Sequence, residues 1–369
     1  MTGTIPPQAS RFESLSSRLD DTCRAPWWLP GGHAQTIIPA RLIPLPHVNY
    51  QRERWNTPDG DFIDLDWTTH QVRPGTPLTV LFHGLEGNSK SHYARGVASA
   101  LATRGEQGVV VHFRGCSGTL NDAPRFYHSG DSNEIDWVLR RLYQTHCATT
   151  ARSLQVIGIS LGGNALLRFL GERQADANFV TAAAAISAPL DLTAGGMALS
   201  RGFNMVYTRM FLQTLKTKSL AKLAQHPGLF DADTMMRSRT LYEFDNVVTA
   251  PLHGYRDTDD YWLRASGKHV LGDITVPTLV LNARNDPFLP AAALPKATEV
   301  APSVTLLQPP HGGHVGFFAR RLGWQGHLPP LGQSDWLPLR ALQFFDQCVP
   351  RATDPIPVPK AAAQASCTI

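Results

Sequence analysis

Charge of one sign, long apolar runs and paired cysteines are all scarce in this chain of 369 residues. Each shortage closes off a class of function. Lys and Arg number 34 against 30 Asp and Glu, a formal net charge of +4. With no Lys/Arg run of five or more, nucleic-acid binding has no electrostatic footprint, although a slight basic excess favours anionic surfaces. No stretch approaches the roughly 18 apolar residues of a spanning helix, and Met1 to Asp20 is polar, without the apolar segment of a signal peptide. The expectation is a soluble, cytoplasmic protein with no transmembrane segment and peripheral membrane contact left open. Cys23, Cys116, Cys147, Cys348 and Cys367 are odd in number and lack metal or disulfide spacing, which suits ordinary thiols in a reducing compartment.

What is present is a globular composition, 43% hydrophobic and 17% charged. The length allows one large domain or two small ones. Residues 1–24 are polar and aperiodic and read as a poorly ordered arm; 350–369, rich in Pro and Ala, read as a disordered tail. Between them, 25–349 read as a single domain. Pro26-Trp27-Trp28-Leu29-Pro30-Gly31-Gly32-His33-Ala34-Gln35-Thr36 suggests an extended strap whose tryptophans pack on the surface. Val48 to Trp55 and Phe62 to Trp67 look like strands joined by the turn Thr57-Pro58-Asp59-Gly60, the second a half-buried antiparallel edge. Then the character changes. Leu78–Phe82, Gly108–Phe113, Leu154–Ile159 and Val180–Ile186 are continuous apolar runs, as strands buried on both faces of a parallel sheet would be. Helical patterns lie between them, at Tyr93–Ala102 and at Ile135, Val138, Leu139 and Leu142, where Asp131 and Glu134 are spaced like a capping box. Alternating strand and helix means α/β architecture.

After Ile186 the alternation breaks for far longer than an ordinary connection of about 2–6 residues. This insert, about 193–273, includes a helical stretch from Met205 to Leu215 and reads as a lid. Strands return at Val276–Asn282 and Val304–Leu307, and a last helix runs from about Trp336 to Cys348.

Val156-Ile157-Gly158-Ile159-Ser160-Leu161-Gly162-Gly163 reads as a strand that turns sharply into a helix with a serine at the turn. Gly158 and Gly162 suit that turn because strand and helix come too close there for a Cβ. A hydroxyl is a poor nucleophile at neutral pH and needs a base, which in turn needs an orienting acid. Asp286 follows the strand at Thr278–Leu281 and His314 follows the strand at Val304–Leu307, giving the chain order Ser, Asp, His. His311 is a rival base; the closer glycines around His314 favour His314. A zinc site on the two histidines lacks a third ligand cluster. The acidic cluster Asp257, Asp259 and Asp260 reads as a solvated loop. Two N–H donors are expected for an oxyanion: Leu161, next after the serine, and Leu85, in the loop His83-Gly84-Leu85-Glu86-Gly87, where His83 reads as structural.

Together these residues resemble the α/β-hydrolase superfamily. More narrowly the chain is similar to the YheT-like hydrolases, relatives of the membrane-associated α/β-hydrolase-domain lipases. The resemblance rests on Pro26-Trp27-Trp28-Leu29, His33 to Ile37, His83 to Asn88 and Phe113-Arg114-Gly115-Cys116-Ser117-Gly118. It continues through Tyr127-His128-Ser129-Gly130, Ala250-Pro251-Leu252-His253-Gly254 and Gly312-Gly313-His314-Val315-Gly316-Phe317. It implies an α/β-hydrolase fold with a mostly parallel sheet and a serine carboxylester hydrolase using Ser160, Asp286 and His314, with no cofactor and no metal. Some relatives act on monoacylglycerols or phospholipids, and some fungal ones make medium-chain ethyl esters. The expected partner is a small acyl ester of short to medium chain. Acyl transfer to an alcohol and a non-catalytic binding module are the alternatives.

Overall fold

The computed structural model describes residues 22–319 and 335–348. Most of the expected arm, the whole expected tail and Cys367 lie outside the described residues. Eight strands form one sheet in the order β1-β2-β4-β3-β5-β6-β7-β8. They are β1 Tyr50–Asn56, β2 Phe62–Thr68, β3 Leu78–Phe82, β4 Gln107–His112, β5 Leu154–Ile159, β6 Ala182–Ile186, β7 Thr278–Leu281 and β8 Val304–Leu307. β2 runs antiparallel to β1 and β4, and every other pairing is parallel.

Alternation along the central strands explains why their sequences are apolar throughout. Leu78, Val80 and Phe82 enter one core layer and Leu81 the other; Val109 and Val111 oppose Val110 in the same way. Helix α1 spans Gly31–Arg41, α2 His92–Arg104, α3 Ser132–Leu142 and α4 Leu161–Arg173. α3 and α4 cover the first face, through Ile135, Val138, Leu139, Leu166 and Leu170. α2 covers the second through Ala94, Val97 and Leu101. Between β6 and β7 come α5 Leu192–Leu199, α6 Met205–Gln225 and α7 Thr258–Ala265, with short helical turns among them. α8, Trp336–Cys348, joins α2 on the second face through Leu337, Ala341 and Phe344. Among the described residues no helix is long and apolar enough to cross a membrane.

Three local expectations are corrected. β2 is not an edge: it lies between β1 and β4, and Asp64 and Asp66 are buried. Their carboxylates are met by Arg54 at 2.8 Å and Arg52 at 2.7 Å, both on β1, so polar alternation marks ion pairs rather than an open face. Asp131 does stand at the N-cap of α3, but it makes no side-chain cap bond and there is no capping box. Arginines have claimed both carboxylates: Arg125 bonds Asp131 at 2.5 Å and Arg114 bonds Glu134 at 2.6 Å. The third correction is the strap. Its second half is helix α1, entered from Pro30 in an extended conformation and carrying Pro39 near its end. Trp28 packs edge-on against Phe318, with centroids 5.8 Å apart, whereas Trp27 is 82% exposed.

Candidate active site

β5 ends at Ile159 and α4 begins at Leu161, so the whole reversal falls on Ser160. Its φ of 51° and ψ of −118° are costly for a residue with a side chain, and such strain persists only where the surroundings impose it. They do so by closeness. A Cβ on Gly158 would stand 2.6 Å from the Gly162 carbonyl oxygen, and one on Gly162 would stand 2.6 Å from the carbonyl oxygens of Phe82 and His83. The Ser160 N–H is held by the Ile186 carbonyl at 2.8 Å. The hydroxyl is thereby fixed at the ends of the parallel strands.

Two loops from beyond β7 and β8 meet it there. His314 Nε2 lies 3.0 Å from Ser160 Oγ, and His314 Nδ1 lies 2.9 Å from Asp286 Oδ2. The carboxylate accepts the Nδ1 proton, which leaves the Nε2 lone pair facing the serine hydroxyl. Asp286 is buried, and its second oxygen accepts the Phe288 N–H at 2.8 Å. The Phe288 ring stacks on the imidazole with centroids 4.0 Å apart. His311, the rival in sequence, is exposed and outside this chain of bonds.

A cavity of about 1130 Å³, counting its mouth, opens over Ser160 and His314. Loops beyond the strand ends line it with Leu85, Ser160, Ser187 and His314, and the segment between β6 and β7 supplies much of its wall through Leu192, Leu199, Phe211, Leu215, Phe244 and Trp262. Asp245 also lines it. Burial pushes its carboxyl up to about 6, although Thr249 and Trp262 donate hydrogen bonds to it.

Comparison with known proteins bears on the family and the fold. The family model described as alpha/beta hydrolase fold matches residues 77–320. Over 295 residues, 79% of this chain and 85% of the relative, the sequence is 39% identical to "Putative esterase YheT" of Escherichia coli (strain K12). The chain belongs to the alpha/beta hydrolases. Within them it is a YheT-like hydrolase. It is 31% identical to the mouse phospholipase ABHD3 over 83% of this chain and 77% of that one. It is 27% identical to a monoacylglycerol lipase of Saccharomyces cerevisiae, over 69% and 58% respectively. A solved structure of DcsB with a substrate analogue superposes with a TM-score of 0.52 at 12% identity, over 82% of this chain and all of that one, a likeness of fold alone.

Sequence reasoning missed how the hydrolase holds its histidine. Helix α1 grips both loops: Gln35 Oε1 accepts the Gly312 N–H and the Asn285 side-chain amide, each at 2.9 Å. Asn285 Oδ1 accepts the Gly313 N–H at 3.0 Å, and Thr36 Oγ1 accepts the His314 N–H at 2.8 Å. Gln35 is tied in turn to the Leu29 carbonyl at 3.0 Å, and Thr36 to that of Gly32 at 2.7 Å. The approach is so close that a Cβ on Gly316 would stand 1.8 Å from the Gln35 carbonyl oxygen, and one on Gly32 1.9 Å from that of Asn285. From the other side Ser187 Oγ accepts the Val315 N–H at 3.1 Å. The glycines around His314 are the one visible signal: they suit a loop that comes tightly against a neighbour, and α1 is a neighbour the sequence does not name.

The loop 83–87 is braced just as fully. His83 is buried; its Nε2 accepts the Phe113 N–H at 3.1 Å, so Nδ1 carries the proton and donates to the Gly84 carbonyl at 2.8 Å. Burial drives its pKa down to about 3, which keeps it neutral and structural, as the sequence suggested. A Cβ on Gly84 would be 3.0 Å from the Ser160 Cβ, so this backbone runs against the serine. Leu85 and Leu161 both line the cavity beside Ser160, and among the described residues no acceptor takes either N–H.

Proposed function

We propose that this YheT-like protein is a serine carboxylester hydrolase acting on short- to medium-chain acyl esters. The observation that carries the reading is the bonded chain Ser160, His314, Asp286 opening into a largely apolar cavity. In the proposed cycle Ser160 Oγ attacks the ester carbonyl carbon while His314 Nε2 takes its proton. Asp286 holds the ring and stabilises the imidazolium. The carbonyl oxygen becomes an oxyanion, for which Leu85 and Leu161 supply the N–H donors; losing one such donor typically raises a barrier by about 2.7–4 kcal/mol. The intermediate collapses, His314 returns the proton to the departing alcohol oxygen, and an acyl-enzyme is left. Water, deprotonated by His314, then attacks the acyl carbon and releases the acid and Ser160. No cofactor enters any step.

The insert is proposed as a cover over the acyl chain, since its Leu and Phe side chains exclude water from the cavity. The names of the phospholipase and monoacylglycerol lipase relatives support a lipid-like acyl ester. The test is hydrolysis of p-nitrophenyl esters from acetate to palmitate by the protein and by Ser160→Ala. We expect turnover that peaks at one chain length and is lost in the variant, whose fold is retained. Equal rates in both proteins would remove Ser160 from the mechanism. Added ethanol separates hydrolysis from acyl transfer, because only the latter yields the ethyl ester.

A further inference from the structure

The Glu86–Lys218 ion pair joins the two parts of the molecule that the proposed reaction needs together. Glu86 follows Leu85 directly and sits at a φ of 56°, a conformation that an L side chain adopts only under constraint. The constraint is visible. The Glu86 N–H donates to the Tyr127 hydroxyl at 2.8 Å, and that hydroxyl lies 2.9 Å from Glu86 Oε1. Lys218, from the middle of α6 in the insert, reaches Glu86 Oε2 at 2.8 Å and Oε1 at 3.0 Å, with Cys116 Sγ at 3.5 Å. The Glu86 side chain is 8% exposed and that of Lys218 25%.

The pair also stands between two cavities. Glu86 and Lys218 line the cavity over Ser160, and both line a second, outward pocket shared with Arg52, Lys90 and Thr217. On α6, Leu215 faces the first space, Thr214 and Thr217 the second, and Lys218 lies on the ridge between them. The insert has other contacts with the body of the protein, but this one ends a single residue from Leu85.

We infer that Lys218 is a positioning residue: by holding the Glu86 carboxylate it couples the seating of the insert to the orientation of the Leu85 N–H beside Ser160. The inference rests on the hydrolase reading above. It places the effect in the transition states of acylation and deacylation, where charge appears on the carbonyl oxygen, and not in ground-state binding, where it does not. A group stranded without its partner in a low-dielectric wall reorients, so losing either charge disturbs the same peptide.

Lys218→Met keeps the bulk of the side chain and deletes the charge; Glu86→Gln is the independent variant should Met impair folding. Each is compared with wild type and Ser160→Ala on a p-nitrophenyl ester, with active sites counted by fluorophosphonate labelling and stability followed by thermal melting. The expected result is a fall in kcat per labelled site of about tenfold, the size of one well-placed hydrogen bond, with KM changed less than about twofold. The double variant is expected to be no slower than the worse single one, since both remove one interaction. Unchanged kcat per site in both single variants, with only a lower Tm, would overturn the coupling and leave a structural tie. Effects that multiply in the double variant would also overturn it. An inactive, unlabelled wild-type protein would instead overturn the hydrolase reading itself.

Discussion

Ser160 and His314 arrive at the same point by opposite means. The serine is positioned by its immediate neighbours: a strand before it, a helix after it, and glycines two residues to either side that let the two elements touch. The histidine sits on an irregular loop whose shape comes from elsewhere, through bonds from Gln35 and Thr36 that span 277 and 278 residues. A local device is self-contained and leaves a motif. A remote clamp leaves two ordinary polar residues in a helix that looked like a strap.

If that contrast is right, a methyl group is intolerable at either position but for different reasons. Gly316→Ala forces a Cβ into the Gln35 carbonyl and should detach the histidine loop from α1. Gly162→Ala drives one into the Phe82 and His83 carbonyls and should open the turn under Ser160. Each is expected to lower kcat/KM by at least about a hundredfold or to prevent accumulation of folded protein, since strain of this kind belongs with the rare losses above about 4 kcal/mol. Near-wild-type activity in Gly316→Ala would break the comparison at once. Next in size, Gln35→Ala strands the buried Gly312 N–H and frees Asn285, at about 1–3 kcal/mol. We expect a kcat about tenfold lower and a Tm lower by several degrees, at roughly 2–4 °C per kcal/mol. Thr36→Val removes a single acceptor from the His314 N–H and keeps the shape, so about a fivefold fall in kcat with little change in Tm is expected. Should Thr36→Val prove worse than Gln35→Ala, the grip would reside in one bond rather than in the network.

The smallest effect concerns stability rather than rate and sharpens the contrast between body and insert. Asp245 has a folded-state pKa raised to about 6 by burial, above its unfolded value near 4. A raised carboxyl binds its proton more tightly when folded. Its contribution is therefore fully present below about pH 4 and is lost as the pH climbs through about 6. Tm measured across pH 4 to 7 should fall through that window in wild type and fall less in Asp245→Asn. Parallel profiles would show that the insert does not carry this dependence.

How legible each part was follows from the range of the forces that fix it. The parallel strands were readable because burial on both faces demands unbroken apolar runs, as at Leu78–Phe82 and Leu154–Ile159. The positions of Asp286 and His314 were readable because strand order sends both loops to one end of the sheet. The closer glycines favour His314 over His311 in the sequence, and in the structure it is His314 whose Nε2 lies 3.0 Å from Ser160 Oγ while His311 is exposed. The spacing of Asp131 and Glu134 misled: it fits a capping box, but Arg114 and Arg125 offer a full charge where a helix terminus offers a partial one.

By itself, then, the sequence determined what depends on neighbours and periodicity: the double-sided strands, the serine turn with its two glycines, and the order of the candidate triad along the chain. Tertiary structure alone decided what depends on distant groups meeting. It brought His314 to within 3.0 Å of Ser160, turned the strap into a helix that clamps the histidine loop, and set Lys218 of the insert against Glu86 beside Leu85. The physical reason is that a hydrogen bond or ion pair is specific only in its geometry, and between residues hundreds of positions apart that geometry exists only once the chain has folded.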